Sequence, residues 1–361
     1  MEEKQDTMAM LDLIIRPAFC VKDGVIVRVN KAAEGRTIAP GPAVSTLLAT
    51  GHEEYSEFAD GCLYLTLQLS GEETGASVVR MDGFDVFLLE EDSDQAELKA
   101  MALAAQNLRE PLSSIMTIAG RLFPTIEKMD DPNAAEQVAR INRGLFQMLR
   151  ILGNMSDADR YRNNALFRQE TRDITALVGD LFERIGTMTL HTGIDMQFTN
   201  LREPVYCLVD TEKLERAIYN ILSNAIKFTP KGGLIDAKLV RRGSKLYLTV
   251  QDTGKGIPAN QRSSVYSRFL RQPGLEDGQH GIGLGMVLIR AAATTHGGTV
   301  LIDQPAGQGL RITMTMEIRQ NRDDTVRSPA LRVDYAGEWD HSLIELSDSL
   351  PATLYRENTD D

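Results

Sequence analysis

NILSNAIK (Asn220–Lys227), DTGKGIP (Asp252–Pro258) and GIGLGM (Gly281–Met286) follow one another inside a single apolar framework. The first lies in a run that begins near Leu214. There Leu214, Ala217, Ile218, Ile221, Leu222 and Ala225 recur at helical spacing, while Asn220, Asn224 and Lys227 form a second, polar stripe at spacings of four and three. Asparagine is a poor helix former, so two mid-helix copies cost stability unless their amides find partners. An amide oxygen can ligate Mg²⁺ beside phosphate oxygens, and a lysine adds positive charge. A solvated polar face is the alternative for such a stripe. Asp252 follows an alternating strand, Leu246 to Val250, and its carboxylate can accept a hydrogen bond from an exocyclic amine. Gly254 and Gly256 would let a flat ring approach the backbone, although the same residues also suit a plain turn. Gly281, Gly283 and Gly285 open a helix running from Met286 towards Thr295, where backbone N–H groups and the helix N-terminus favour phosphate. His296, in the last turn before Gly297, reads as a structural histidine.

Upstream of this pocket, Met101, Ala105, Leu108, Leu112, Ile115, Ala119 and Leu122 alternate at spacings of four and three, a helix-packing seam. Asp94 and Glu97 suit a helix start, and Pro111 should kink the helix or remove a hydrogen bond. Asp131, Pro132 and Asn133 restart the chain, and Val138, Ile141, Leu145, Met148, Leu152 and Met155 repeat the seam. A single hairpin cannot bury both seams well, so a dimeric four-helix bundle is expected, either a homodimer or a heterodimer with a related chain.

The first 92 residues read as a small mixed domain: strands at Ala18–Val21, Val25–Val29, Leu63–Leu69 and Phe84–Leu88, a tight turn at Asp23–Gly24, and a turn over Gly71–Gly75. The stretch from Leu13 to Ala33 resembles a PAS sensor domain. His52 is expected to be an ordinary surface residue, and Cys20, Cys62 and Cys207 to be buried thiols without metal spacing. Further on, a helix is expected over Ile174 to Met188, strands over Ile194–Phe198, Val205–Val209 and Leu310–Met316, and Asp210 as a helix cap. From Gln320 onward four arginines face ten acidic side chains, half of the net charge of −12. Leu331, Val333, Trp339, Leu343, Ile344, Leu346 and Leu350 are too apolar for a disordered tail, so an appendage docking on this chain or on a partner is expected. The acidic balance argues against nucleic acid, and no apolar run reaches the roughly 18 residues needed to insert in a membrane. The polar, acidic N-terminus does not read as a signal peptide, so the expected location is cytoplasmic.

Taken together, NILSNAIKFTPKGG, DTGKGIP, SRFLR and GIGLGM resemble the ATP-binding domain of sensor histidine kinases, a nucleotide fold shared with gyrase, MutL and a heat-shock chaperone. The resemblance spans about Asp94 to Ile318, and the hairpin selects the kinase among these relatives. Joined to the PAS-like stretch before it and the acidic segment after it, the resemblance gives a multidomain α+β protein: a PAS-like N-terminal domain (1–92), a helical hairpin (93–163), an α/β sandwich ATP-binding domain (164–319) and an acidic extension (320–361). It also implies ATP and Mg²⁺ as cofactors. Asn224 would hold the metal, Asn220 and Lys227 would meet phosphates, and Asp252 would read the adenine amino group. Phe269 would anchor a lid from about Arg268 to His280, whose glycine-rich composition suits that role, and Gly281, Gly283 and Gly285 would close on the triphosphate.

In that family the first hairpin helix carries a motif like H-E-L-R-T-P-L, whose histidine takes the phosphoryl group. Here the motif reads QNLREPL (Gln106–Leu112). The framework residues Leu108, Arg109, Pro111 and Leu112 match. Gln106 cannot act as a nucleophile, because its amide lone pair is delocalised, and Asn107 cannot act as a base. Glu110 replaces a residue that helps position water for dephosphorylating a response regulator, and would repel a phosphoryl group. No catalytic residue is therefore assigned on this helix, and His52, His191, His280, His296 and His341 all lie outside the hairpin. The expected function is a cytoplasmic ATP-binding pseudokinase of a two-component pathway. The alternatives are a kinase that phosphorylates a partner kinase in trans, and a nucleotide-gated scaffold.

Overall fold

The computed structural model describes residues 11–12, 14–36, 38–81, 83–90, 93–127, 131–162, 169–256, 284–305, 309–320 and 340–356. The chain begins with β1 (Ala18–Lys22), β2 (Val25–Val29), a short helix α1 (His52–Glu57), β3 (Cys62–Leu69), β4 (Glu72–Met81) and β5 (Phe84–Leu89). Asp23 and Gly24 both adopt positive φ, which gives the predicted two-residue turn between β1 and β2. The turn expected over Gly71–Gly75 is shorter. Ser70 and Gly71 carry the positive φ values, and Glu72 already starts β4, which pairs with β3 from Leu69↔Glu72 to Cys62↔Val79. His52 is exposed, and all three cysteines are free and buried. Burial pushes the Cys20 thiol up to about 11.

Two long helices follow, α2 (Ser93–Glu127) and α3 (Pro132–Arg162). The α2 helix continues through Pro111 and Pro124 rather than ending at either. Asp131 caps α3 by accepting the Asn133 N–H at 2.9 Å, with Pro132 at the first helical position as expected. The seams split into two stripes. Ala105, Leu112, Ala119, Val138, Leu145 and Leu152 are buried within the hairpin. Leu108, Ile115, Leu122, Ile141 and Met148, the intervening members, are each about half exposed, and Leu103 and Ile118 beside them are 61% and 65% exposed.

The second α/β region contains β6 (Glu170–Asp173), α4 (Ile174–Thr189), β7 (Asp195–Thr199), β8 (Tyr206–Val209), α5 (Thr211–Phe228), β9 (Leu234–Arg242) and β10 (Lys245–Asp252). After residues 257–283 come α6 (Gly285–Thr295), β11 (Val300–Asp303) and β12 (Arg311–Glu317). The predicted alternation in β10 and β12 puts Leu246, Leu248, Val250, Ile312, Met314 and Met316 in the core. Asp173 and Asp210 cap α4 and α5.

The ten-stranded sheet runs β2-β1-β5-β4-β3-β11-β12-β10-β9-β7, so the strands of the first 92 residues and β7, β9, β10, β11 and β12 form one surface, while β6 and β8 pair with each other. The junction is the antiparallel pairing Cys62↔Ile302, Leu63↔Leu301 and Tyr64↔Val300. Beside it Lys245 reaches Glu54 at 2.8 Å, and Arg290 pairs with Glu90 while stacking over the Tyr64 ring at 4.8 Å. Finally α7 (His341–Glu345) and a single 3₁₀ turn, Ala352–Tyr355, dock on α3 and α5 of this same chain. Leu343, Ile344, Leu346 and Leu350 are buried there as their apolar character requires, while Leu331, Val333 and Trp339 lie outside the described residues.

Candidate functional site

Helix α5 starts because the Asp210 carboxylate accepts the Lys213 N–H at 3.0 Å, and ends where Thr229 turns extended ahead of Pro230. Its apolar stripe is buried as the spacing predicts, with Leu214, Ala217, Ile218, Ile221, Leu222 and Ala225 all below 5% exposed. The opposite side is not a solvated face. Lys213, Glu215, Arg216, Tyr219, Asn220 and Ser223 are buried as well: Lys213 reaches Thr295 of α6, Arg216 and Asn220 reach Asp157 and Arg150 of α3, and Tyr219 and Ser223 reach Ser342 and Ser349 of the C-terminal segment. Asn220 donates from Nδ2 to the Arg216 carbonyl at 2.8 Å and accepts from Arg150 Nη2 at 3.4 Å, which answers the cost of an asparagine in mid-helix. Asn224 and Lys227 are half-buried. Burial pushes the Lys227 ammonium below its ordinary pKa. The Asp348 charge opposes this, and Arg150 and Arg143 reinforce it.

Asp252 ends β10 and is buried, with Oδ1 accepting the Gly254 N–H at 2.8 Å and the Leu310 N–H at 3.2 Å. Burial raises its carboxyl above the usual range, and these two donors hold it back. Gly254 is required by close approach: a Cβ there would lie 2.4 Å from the Phe228 carbonyl oxygen, so only glycine lets this turn rest on the end of α5. Gly256 has φ +67, the left-handed region. Gly285 opens α6 against α5, since its Cβ would sit 2.8 Å from Asn220 Oδ1. Asn220, Asn224 and Lys227 thus share α5, Gly254 rests on its end at Phe228 and Gly285 abuts Asn220, whereas Gly256 faces Gln304 and Gly309. Phe269, Gly281, Gly283 and the Arg268–His280 stretch lie outside the described residues.

His296 is structural, as its position suggested. Its Nε2 accepts the Asp210 N–H at 3.0 Å, so Nδ1 carries the proton and donates to the Ala292 carbonyl at 2.7 Å. Burial lowers its pKa to about 4. On α2, the side chains of Gln106, Asn107 and Glu110 are exposed. Residues not foreseen are Arg150, Asn154, Asp157, Arg216, Glu345 and Asp348. Arg216 is fully buried, pairs with Glu345, and meets Asp157 and Asn154 at 2.8 Å each. Arg150 pairs with Asp348 at 2.7 Å. A signal was available: Arg150, Asn154 and Asp157 lie at spacings of four and three, a polar stripe on an otherwise seamed helix.

Residues 209–320 match the family model described as histidine kinase-, DNA gyrase B-, and HSP90-like ATPase. The match encloses α5, β10 and α6. The chain carries an ATPase domain of the histidine kinase family. Hybrid signal transduction histidine kinase D of Dictyostelium discoideum is 29% identical over 245 residues, covering 64% of this chain and 15% of that protein. Sensor histidine kinase TmoS of Ectopseudomonas mendocina is 32% identical over 228 residues, covering 60% of this chain and 22% of that protein. The chain thus spans less than a quarter of either relative. Among solved structures, full-length ShkA in complex with AMPPNP overlaps 60% of this chain and 45% of its own, at 20% identity and a TM-score of 0.48. No helix among the described residues is long and apolar enough to cross a membrane.

Proposed function

We propose that this chain is a cytoplasmic, dimeric signalling protein of two-component type that binds Mg²⁺-ATP and does not autophosphorylate on its hairpin. The observation that carries the reading is an ATPase domain of the histidine kinase family beside a hairpin whose acceptor register holds Gln106, Asn107 and Glu110. The pocket residues suit a nucleotide. Asp252 is a buried acceptor held by two backbone donors, Gly256 is glycine in a left-handed turn, and Asn220 meets the start of α6 while Lys227 lies further along the same helix. Asp252 would take the adenine amino group, Asn224 the metal, and Asn220 and Lys227 the phosphates.

The half-exposed stripe of Leu108, Ile115, Leu122, Ile141 and Met148 supports a second chain completing a four-helix bundle, either a copy or a related kinase. The β2-β1-β5-β4-β3 order of the first five strands supports a PAS-type sensory module, and a response regulator is the expected downstream partner. The test is incubation with γ-labelled ATP. The wild type should bind nucleotide yet gain no acid-labile label, and Gln106→His with Asn107→Glu should gain it. Acid-labile label on the unaltered chain by itself would refute the reading. Label passing to a partner kinase would select the trans-acting enzyme instead.

A further inference from the structure

Of the two residues placed on phosphates above, Asn220 is engaged by Arg150 of α3, and Lys227 lies in the field of Asp348. The C-terminal segment lies along one face of α5. Ser342 meets the Tyr219 hydroxyl at 2.8 Å, Glu345 pairs with Arg216, and Ser349 Oγ lies 3.4 Å from Ser223 Oγ. Positions 216, 219, 220, 223 and 227 recur at spacings of one helical turn, so these contacts run beside the polar stripe assigned to nucleotide. Between Glu345 and Ser349 the chain turns and presents Asp348. The Asp348 carboxylate is held by Arg150 at 2.7 Å, and the same guanidinium donates to Asn220 Oδ1 at 3.4 Å. Arg143 fastens the turn from behind, donating to the carbonyls of Ser347 at 2.9 Å and Asp348 at 3.3 Å. One carboxylate is therefore held by cations of α3 beside the α5 stripe where a phosphate would seek partners.

We propose that the Ser347–Ser349 turn guards the phosphate side of the pocket, with Asp348 as an internal anion that competes with nucleotide. This inference rests on the ATP-binding reading above and adds its regulation. Loading requires the turn to swing away from α5, whereas the buried side chains on either side, Ile344, Leu346, Leu350 and Tyr355, keep the segment tethered to α3. Any input that lifts the turn raises nucleotide affinity without touching the pocket.

Two full-length variants test this with a fluorescent ATP analogue. Asp348→Asn keeps the shape of the turn and removes its charge, so it should bind about tenfold more tightly than the wild type. Ser223→Cys with Ser349→Cys places two thiols within reach of a disulfide, while the three native cysteines are buried bystanders. Its reduced form should bind nucleotide and its oxidised form should bind at least tenfold more weakly, reversibly with reductant. Equal binding by oxidised and reduced forms, or an Asp348→Asn variant that binds no more tightly than the wild type, overturns the guard. If the cross-link does not form, Asp348→Asn decides alone. Absence of binding by every form at millimolar nucleotide removes the ATP reading itself, a result distinct from equal binding.

Discussion

Replacing Arg216 by methionine tests what holds the ATPase domain, the hairpin and the C-terminal segment together. The side chain is fully buried on α5, and its guanidinium meets Asp157 of α3 at 2.8 Å as well as Glu345 of α7. Methionine keeps most of the apolar stem, so the loss isolates the charge. Two carboxylates, 4% and 0% exposed, would stay in the interior with their central cation gone, and Arg150 approaches Glu345 only at 4.0 Å. Breaking a buried pair in this way costs about 3–5 kcal/mol, a large share of the roughly 5–15 kcal/mol that holds a typical domain. Urea unfolding followed by circular dichroism reads it as a lowered midpoint. A companion variant that also changes Asp157 and Glu345 to leucine should recover most of the loss, because the penalty lies in uncompensated charge rather than in missing attraction. A single-variant loss below about 1 kcal/mol would refute this account of the cluster.

Leu108→Glu with Ile115→Glu should raise the dimer dissociation constant about a thousandfold in sedimentation experiments, since four half-exposed side chains stop contributing about 1 kcal/mol each, with little change in protomer stability. Asp252→Asn should weaken nucleotide binding by about 1–3 kcal/mol, read by titration, because the adenine amine loses a charged acceptor. His296 has a folded pKa of about 4 against an ordinary 6.5, so the unfolded chain takes up its proton first as pH falls. Its contribution is complete above pH 6.5 and is lost between 6.5 and 4, by about 3 kcal/mol, and His296→Gln should flatten that slope in pH-dependent urea melts.

Much of the fold was legible because it is local. The α5 stripe, the caps at Asp131 and Asp210, and the alternation of β10 and β12 each follow from residues a few positions apart. The positions of Asn220, Asn224 and Lys227 on one helix and of Asp252 at a strand end were legible for the same reason. What escaped is non-local or conformational. β4 itself escaped, because a glycine-bounded polar run looked like loop where a two-residue turn at Ser70–Gly71 already starts the strand. The cover over α5 was hidden because an arginine on a helix normally points at water, and nothing near Arg216 announces Glu345 well over a hundred positions on. The seams were visible, but only packing divides them into Ala105, Leu112 and Ala119 inside and Leu108, Ile115 and Leu122 outside.

The junction of β3 with β11 also constrains how the protein is made. At the ribosome, β1 to β5 can pair among themselves early, and Leu47 to Ala49 shield the far part of β3 by bonding to Thr66 and Gln68. Among the described residues, the backbone of Cys62–Tyr64 on this side pairs with Val300–Ile302, which emerges roughly 240 residues later. At about 5–20 residues per second, that leaves a short apolar edge open for roughly ten to fifty seconds of every synthesis. The nascent chain is most vulnerable to aggregation in that interval, and a chain truncated before Val300 would carry the open edge permanently.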